Sequence, residues 1–284
     1  MGKISSRRIL NLVNTEPELQ GAMFGNYFDQ YCDLIYVDAA KTASGDGSSW
    51  RQAFKTITEA MSKARNIPGT TSLNYSHNRQ TYIIVAPGQY NEQVLKSCYN
   101  THLLALEFLT NGDYGTVINY DGAQDTTAVM AFSGSGLEIA GFCINNAEAI
   151  PALYLSDVSD AVWIHDNWIK GDGTNSTVGI DCSIKNSVIE NNIINGHTTG
   201  INVGAGLWFN NSIIRNSKIT NVTNGIAVNA TAVCTESEIS HNAVVGASSS
   251  IVNSSSTDIL IYGNWTYPAI SDGGATAGDN TTLS

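Results

Sequence analysis

The sequence predicts an all-β fold: a right-handed, single-stranded parallel β-helix, a solenoid of coils about 25 residues long capped near its N-terminus by a helix. Three observations carry that prediction. Ile139, Ile164, Ile189, Ile214 and Ile239 recur every 25 residues, and Ile261 follows after 22. The apolar runs around them are short and β-branched, as strands require. Asn, Gly, Ser and Thr separate the runs, and these residues favour turns and disfavour helix interiors.

A single coil cannot bury its own apolar side, so stacking creates the core. Two further apolar sites keep the same rhythm. Ile144, Ile169, Ile194, Ile219 and Val244 lie five residues beyond the repeating Ile, and Leu153, Ile180, Ile201, Ile226 and Ile251 form a third set. Three residues after the repeating Ile stand Asn167, Asn192, Asn242 and Asn264, with Ser217 and Phe142 as exceptions. An Asn amide carries donors and acceptors, so a column of them one strand spacing apart can satisfy itself in a turn.

Composition fits this surface. Only 14% of the 284 residues are charged, against roughly 25% in ordinary soluble domains. The net charge of −11, without a basic stripe, excludes nucleic acid and an anionic membrane surface as expected partners. No apolar run reaches the length of a membrane span or the core of a signal peptide. Cys32, Cys98, Cys143, Cys182 and Cys234 are scattered and never form a CxxC pair; they read as reduced, buried thiols, with no metal and no cofactor expected.

Along the chain, residues 1–33 read as an N-terminal arm with aromatic docking groups such as Phe24, Tyr27, Phe28 and Tyr31. Leu34–Val37 is a β-prone run. Ser49-Trp50-Arg51-Gln52 is a capping box that opens a helix over 50–65, with Phe54, Ile57, Met61 and Ala64 on one face and Pro68-Gly69 beyond it. Tyr82–Ala86 reads as a buried strand stopped by Pro87-Gly88. The β-helix domain is placed at 34–267, and the Gly-, Ser- and Thr-rich residues 268–284 as a tail. The stretches IYVDAAKTASGDGSSWRQAFKTITEAMSKA and TYIIVAPGQYNEQV resemble the opening of pectin-lyase-like β-helix proteins. There a strand, a capping helix and a strand ending in Pro-Gly begin the stack. The resemblance covers roughly residues 34–95 and implies the fold; the same fold carries lyases, hydrolases, adhesins and phage spikes.

One column invites chemistry. The residue after each repeating Ile is Ala140, His165, Glu190, Arg215, Ser240 and Tyr262. Outward-facing, His165, Glu190 and Arg215 would stack on successive coils, an acid, a base and a cation suited to general acid–base cleavage of a polysaccharide or to a cross-strand charge ladder. Asp166 and His241 stand in the next column. Asp172 and Asp181 are a further carboxylate pair, separated by a loop. Trp163, Trp168, Trp208, Trp265 and Tyr154 are candidates for stacking on sugars. The catalytic motifs of the resembled lyases and polygalacturonases are missing, since His197 in INGHTTG lacks the second Gly and Gly171-Asp172-Gly173 stands alone. The leading expectation is therefore a non-enzymatic bacteriophage virion protein of capsid-decoration or tail-spike type. Residues 1–33 would bind capsid or tail proteins, and the resemblance to phage β-helix proteins implies a homotrimer. A spike that binds or depolymerises a cell-surface glycan is the alternative, as lyase or hydrolase, and a bacterial surface adhesin is a third reading.

Overall fold

The computed structural model describes residues 32–65, 80–106, 115–119, 127–254, 259–271, 276–278 and 280–282. The arm predicted for residues 1–33 lies almost wholly outside them. Strands pair in parallel throughout the described residues, each with the strand one coil later. The result is a right-handed parallel β-helix.

Three sheets face one interior. In the first, Ile35 aligns with Ile83, Leu103, Ile139, Ile164, Ile189, Ile214, Ile239 and Ile261 in turn. In the second, Ile118, Ile144, Ile169, Ile194, Ile219 and Val244 align. In the third, Leu153, Ile180, Ile201, Ile226 and Ile251 do so. All three apolar sets expected from the 25-residue rhythm are thus columns, and the repeating Ile side chains are fully buried. Burial of one such side chain stabilises by about 1.5–3 kcal/mol, and a one-residue slip would turn every one of them outward.

The corner between the first and second sheets turns through one left-handed residue per coil. It is taken in turn by Gly141, Asp166, Asn191, Asn216, His241 and Gly263, all with φ between 52° and 84°. A second left-handed column runs through Ala161, Asn186, Asn211 and Glu236. Asn and Asp tolerate this region; Ala161, at φ 53°, has neither a compensating side-chain hydrogen bond nor glycine's freedom. Ala161→Gly is expected to raise stability by about 0.5–1 kcal/mol, seen as a higher urea midpoint. A lower midpoint would show that Ala161 is not strained.

Next to the first corner the predicted Asn ladder is present. Asn167 N and Nδ2 donate to Asn192 Oδ1 at 3.1 Å each, Asn192 N donates to Ser217 Oγ, Ser217 N to Asn242 Oδ1, and Asn242 to Asn264 Oδ1. Each Asn amide also reaches a carbonyl of the preceding coil, as Asn192 Nδ2 does to Ile164 O at 3.0 Å. A parallel Ser ladder occupies the other corner: Val162 N donates to Ser187 Oγ, Ser187 N to Ser212 Oγ and Ser212 N to Ser237 Oγ.

Two boundaries differ from expectation. The single helix predicted over 50–65 is two pieces. Ser49 does cap, accepting from Gln52 N, but only a 3-10 turn, Trp50–Gln52. Phe54 then becomes extended and bridges to Val37. The α-helix, α1, is Ile57–Arg65. Its start is set by a second capping box, in which Glu59 N donates to Thr56 Oγ1 while Thr56 N donates to Glu59 Oε2. Glu92 adds a carboxylate that accepts from Ile57 N and Thr58 N, matching the positive end of the helix dipole. α1 buries Ile57, Ala60, Met61 and Ala64 in the main core, as a cap should.

The second difference is the tail. Part of 268–284 continues the stack instead of hanging free or docking elsewhere. Ile261 aligns with Ala277, Trp265 with Thr281, and Asn280 Oδ1 extends the ladder by accepting from Asn264 N. The coil length changed, so the rhythm disappeared from the sequence while the ladder persisted.

Candidate functional site

The outer face of the first sheet changes character along the axis. At its N-terminal end Tyr36, Ile84, Leu104 and Ala140 form a small apolar cluster with Ala53, roofed by Trp50; the Tyr36 and Trp50 rings meet edge-on at 4.7 Å. From His165 onward the same row is polar. Ala140, His165, Glu190, Arg215 and Ser240 align on successive coils, so the three predicted candidates do come together.

Their hydrogen bonds define what they can do. Glu190 accepts from Trp163 Nε1 at 2.9 Å on one oxygen and from Arg215 Nε at 2.8 Å on the other. His165 is 2% exposed, and the Trp163 ring stacks on it with centroids 3.9 Å apart. Its Nδ1 meets Asp166 at 3.0 Å and its Nε2 meets Glu138 at 2.8 Å. Glu138 shares its other oxygen with His102 Nδ1 at 2.5 Å. Burial would lower the His165 pKa, but its two carboxylate partners outweigh burial and raise it from 6.5 to about 9. Burial alone would raise Glu138; the hydrogen bonds from His102 and His165 reverse this and hold it at about 2. A closed imidazolium–carboxylate clamp across three coils results. His165 has both ring nitrogens engaged, and each Glu190 oxygen already accepts one hydrogen bond.

Sequence reasoning missed Glu138 and His102. Glu138 lies in the row before the repeating Ile, and 36 residues separate Leu103 from its partner Ile139, so the 25-residue rhythm does not reach His102. The Asp172–Asp181 pair is not assembled. Asp172 is tied to its own turn, accepting from Thr174, Asn175 and Ser176, which holds its carboxyl well below the usual range. Asp181 sits on the outer face of the third sheet, where burial raises its pKa and Asn202 Nδ2 donates to it at 2.8 Å. His241 meets the edge of the Tyr262 ring.

The open geometry lies at the corner of the second and third sheets. A cleft of about 350 Å³ is lined by His197, Thr198, Asn221, Thr223, Val245 and Tyr267, with glycines at its rim. His197 is 3% exposed, and neither ring nitrogen makes a hydrogen bond; burial lowers its pKa to about 4, so it is neutral. The close approach that shapes this corner needs Gly196, at φ +77°, where a Cβ would lie 2.6 Å from Gly171 O. Beside the cleft the second sheet presents two outward rows. One runs Trp168, Ile193, Lys218, Ala243, Trp265; in the other Lys170, Asn195 and Thr220 align, and beyond an irregularity in register so do Val245 and Tyr267. Trp265 is 61% and Tyr267 51% exposed. The other predicted aromatic candidates are engaged: Trp168 Nε1 donates to Asn195 Oδ1, and Lys185 Nζ lies 3.8 Å over the Trp208 ring.

Fold and surface together define a pectin-lyase-like β-helix with an exposed aromatic cleft. The chain belongs to the family described as periplasmic copper-binding protein (NosD), which residues 89–266 match. No curated protein sequence matches it. Among solved structures it is similar to the DFA-IIIase of Arthrobacter chlorophenolicus A6 without its lid, at 12% identity and TM-score 0.55 over 84% of this chain and 75% of that one. It is also similar to pectate lyase Pel9A, at 12% identity and TM-score 0.52 over 89% and 78%. Identities this low establish a shared fold only.

The family description names copper, which takes converging imidazole and sulfur ligands. The described residues do not fit that group. Among them no group of three or more His, Cys, Asp or Glu is placed to hold a metal ion: His102, Glu138, His165 and Asp166 meet, but His165 spends both nitrogens on the two carboxylates, and Cys182 points into the core.

Proposed function

We propose that the chain is a glycan-binding β-helix that holds saccharide at the corner cleft without cleaving it. The observation that carries this reading is exposed Tyr267 at a cleft whose lining includes Thr198, Asn221 and Thr223, with exposed Trp265 two residues before it on the same strand. Rings of this kind offer a flat apolar surface to the C–H face of a sugar, and a few convergent polar groups fix its hydroxyls. The closed clamp on the first sheet supports binding over cleavage. Of the readings drawn from sequence, the cleft favours the glycan over a purely structural rod.

The test is calorimetry of the full chain against hexamers of cellulose, maltose-type glucan and galacturonate. At least one hexamer is expected to bind. Tyr267→Ala should weaken it tenfold or more, whereas Tyr99→Ala, half exposed elsewhere on the surface, should leave it unchanged. Absence of binding to every hexamer, or equal losses in both variants, would overturn the reading.

A further inference from the structure

Resting on the glycan reading of the corner cleft, we infer that acid closes it: on protonation the His197 imidazole leaves its socket and swings into the cleft beside Asp172, where it blocks the ligand. The corner's geometry carries this. His197 lines the cleft, is almost wholly buried, and its two ring nitrogens have neither solvent contact nor a hydrogen-bond partner. One side of the ring is closed by the backbone of Gly179, where a Cβ would lie 3.4 Å from His197 Cδ2. The cleft that it lines offers about 350 Å³, room for an imidazole to move into. A neutral ring tolerates this socket. A buried charge without a partner must be paired, discharged or expelled.

The charges around the ring set the direction of escape. Asp172 is the ionised side chain that acts on His197, and hydrogen bonds from Thr174, Asn175 and Ser176 keep its carboxylate charged well into acid. Its neighbour Gly173 lines the same cleft. The other charged groups on the elements packed here are engaged elsewhere or face out. Asp181 accepts from Asn202, Lys170 and Lys185 lie over the Trp168 and Trp208 rings, and Lys218 is exposed. Tyr267 contributes a phenol to the lining. Inside the socket burial holds the His197 pKa at about 4, although the Ile169 carbonyl and Asp172 both favour the proton. Movement toward Asp172 removes the burial and keeps the carboxylate, so the ring takes a proton more readily in the cleft than in the socket. Protonation and ligand then compete for one space, and each weakens the other by the same factor.

The experiment follows the ring and the cleft separately on the full chain. NMR of the His197 ring and of the Thr198, Asn221 and Thr223 amides from pH 6.5 to 3.5 reads the movement without ligand. His197 is expected to titrate at or above about pH 4, with the three amides shifting along the same curve. Asp172→Asn keeps the turn's acceptor oxygen and drops the charge, and should move that curve to lower pH. Calorimetry with cellohexaose and maltohexaose, which carry no titrating group, reads the consequence. Binding at pH 3.5 should be at least about fourfold weaker than at pH 6.5, since only the deprotonated fraction is competent, and His197→Phe should lose this pH dependence. The gate is overturned by ring shifts without amide shifts, by a ring still neutral at pH 3.5, or by loss of the fold before the ring titrates. An unmoved curve in Asp172→Asn, or an acid loss that persists in His197→Phe, overturns it equally. If neither hexamer binds at pH 6.5 the glycan reading falls, and the ring and amide titrations alone decide the gate.

Discussion

Glu138→Gln is expected to lower stability by about 3–5 kcal/mol, the usual consequence of removing one charge from a buried pair. The side-chain volume is preserved, so no cavity accompanies the change. What is lost is the anion between His102 and His165, 2.5 and 2.8 Å away. His165 would then keep only Asp166 against burial, and its pKa should fall from about 9. Urea unfolding at pH 6 and a histidine titration by NMR test both parts. An unchanged urea midpoint with His165 still titrating near 9 would show that the clamp is not what holds these coils.

The pH dependence follows from the same groups. His165 is raised in the folded state, so its contribution is complete below about 6.5 and is lost as pH climbs to about 9. Glu138 is depressed, so its contribution is complete above about 4.5 and is lost as pH falls to about 2. His197 is also depressed: protonation favours the unfolded chain, and stability drains away as pH falls from about 6.5 to about 4. Maximal stability is therefore expected near pH 6.5. In Glu138→Gln the alkaline decline should flatten while the acid arm due to His197 remains.

The second large effect is Asn192→Leu, expected to cost about 4 kcal/mol because several buried polar groups lose partners together. Asn192 Oδ1 serves Asn167 N and Nδ2, and its own amide serves Ile164 O and Glu190 O. Asn192→Ser should cost only about 1–2 kcal/mol, since Ser217 already fills a rung of this column. Urea midpoints at constant m-value separate the two. Equal losses would mean that side-chain volume, not the amide, matters at this corner.

The coil stack was legible because a β-helix repeats its physics every turn. Ile139 to Ile239 announced a buried column, and Asn167, Asn192, Asn242 and Asn264 announced a ladder, since only repetition lets an amide find its own copy. The Ser187, Ser212 and Ser237 ladder was equally regular in sequence and went unread, because Ser is common in turns. What sequence could not supply was the third dimension of side chains that are not periodic. His102 lies outside the 25-residue spacing, so its meeting with Glu138 and His165 required the coordinates. The 50–65 helix failed for a local reason: Ser49 and Thr56 both begin capping boxes, and Phe54 between them gains more from bridging to Val37 than from helix. Tyr267 and His197 are 70 residues apart and share a cleft only because three coils separate them.

The two corner ladders make length a variable that evolution can set independently of everything else. Each coil offers its neighbour the same donors and acceptors it receives, so excising or duplicating one 25-residue period rejoins like to like. Cooperativity then passes between adjacent turns only, as in a one-dimensional chain of coupled units. A protein built this way is a ruler: the reach of its surface, and the number of ligand units it can grip, scale with copies of a cassette whose internal chemistry never has to change.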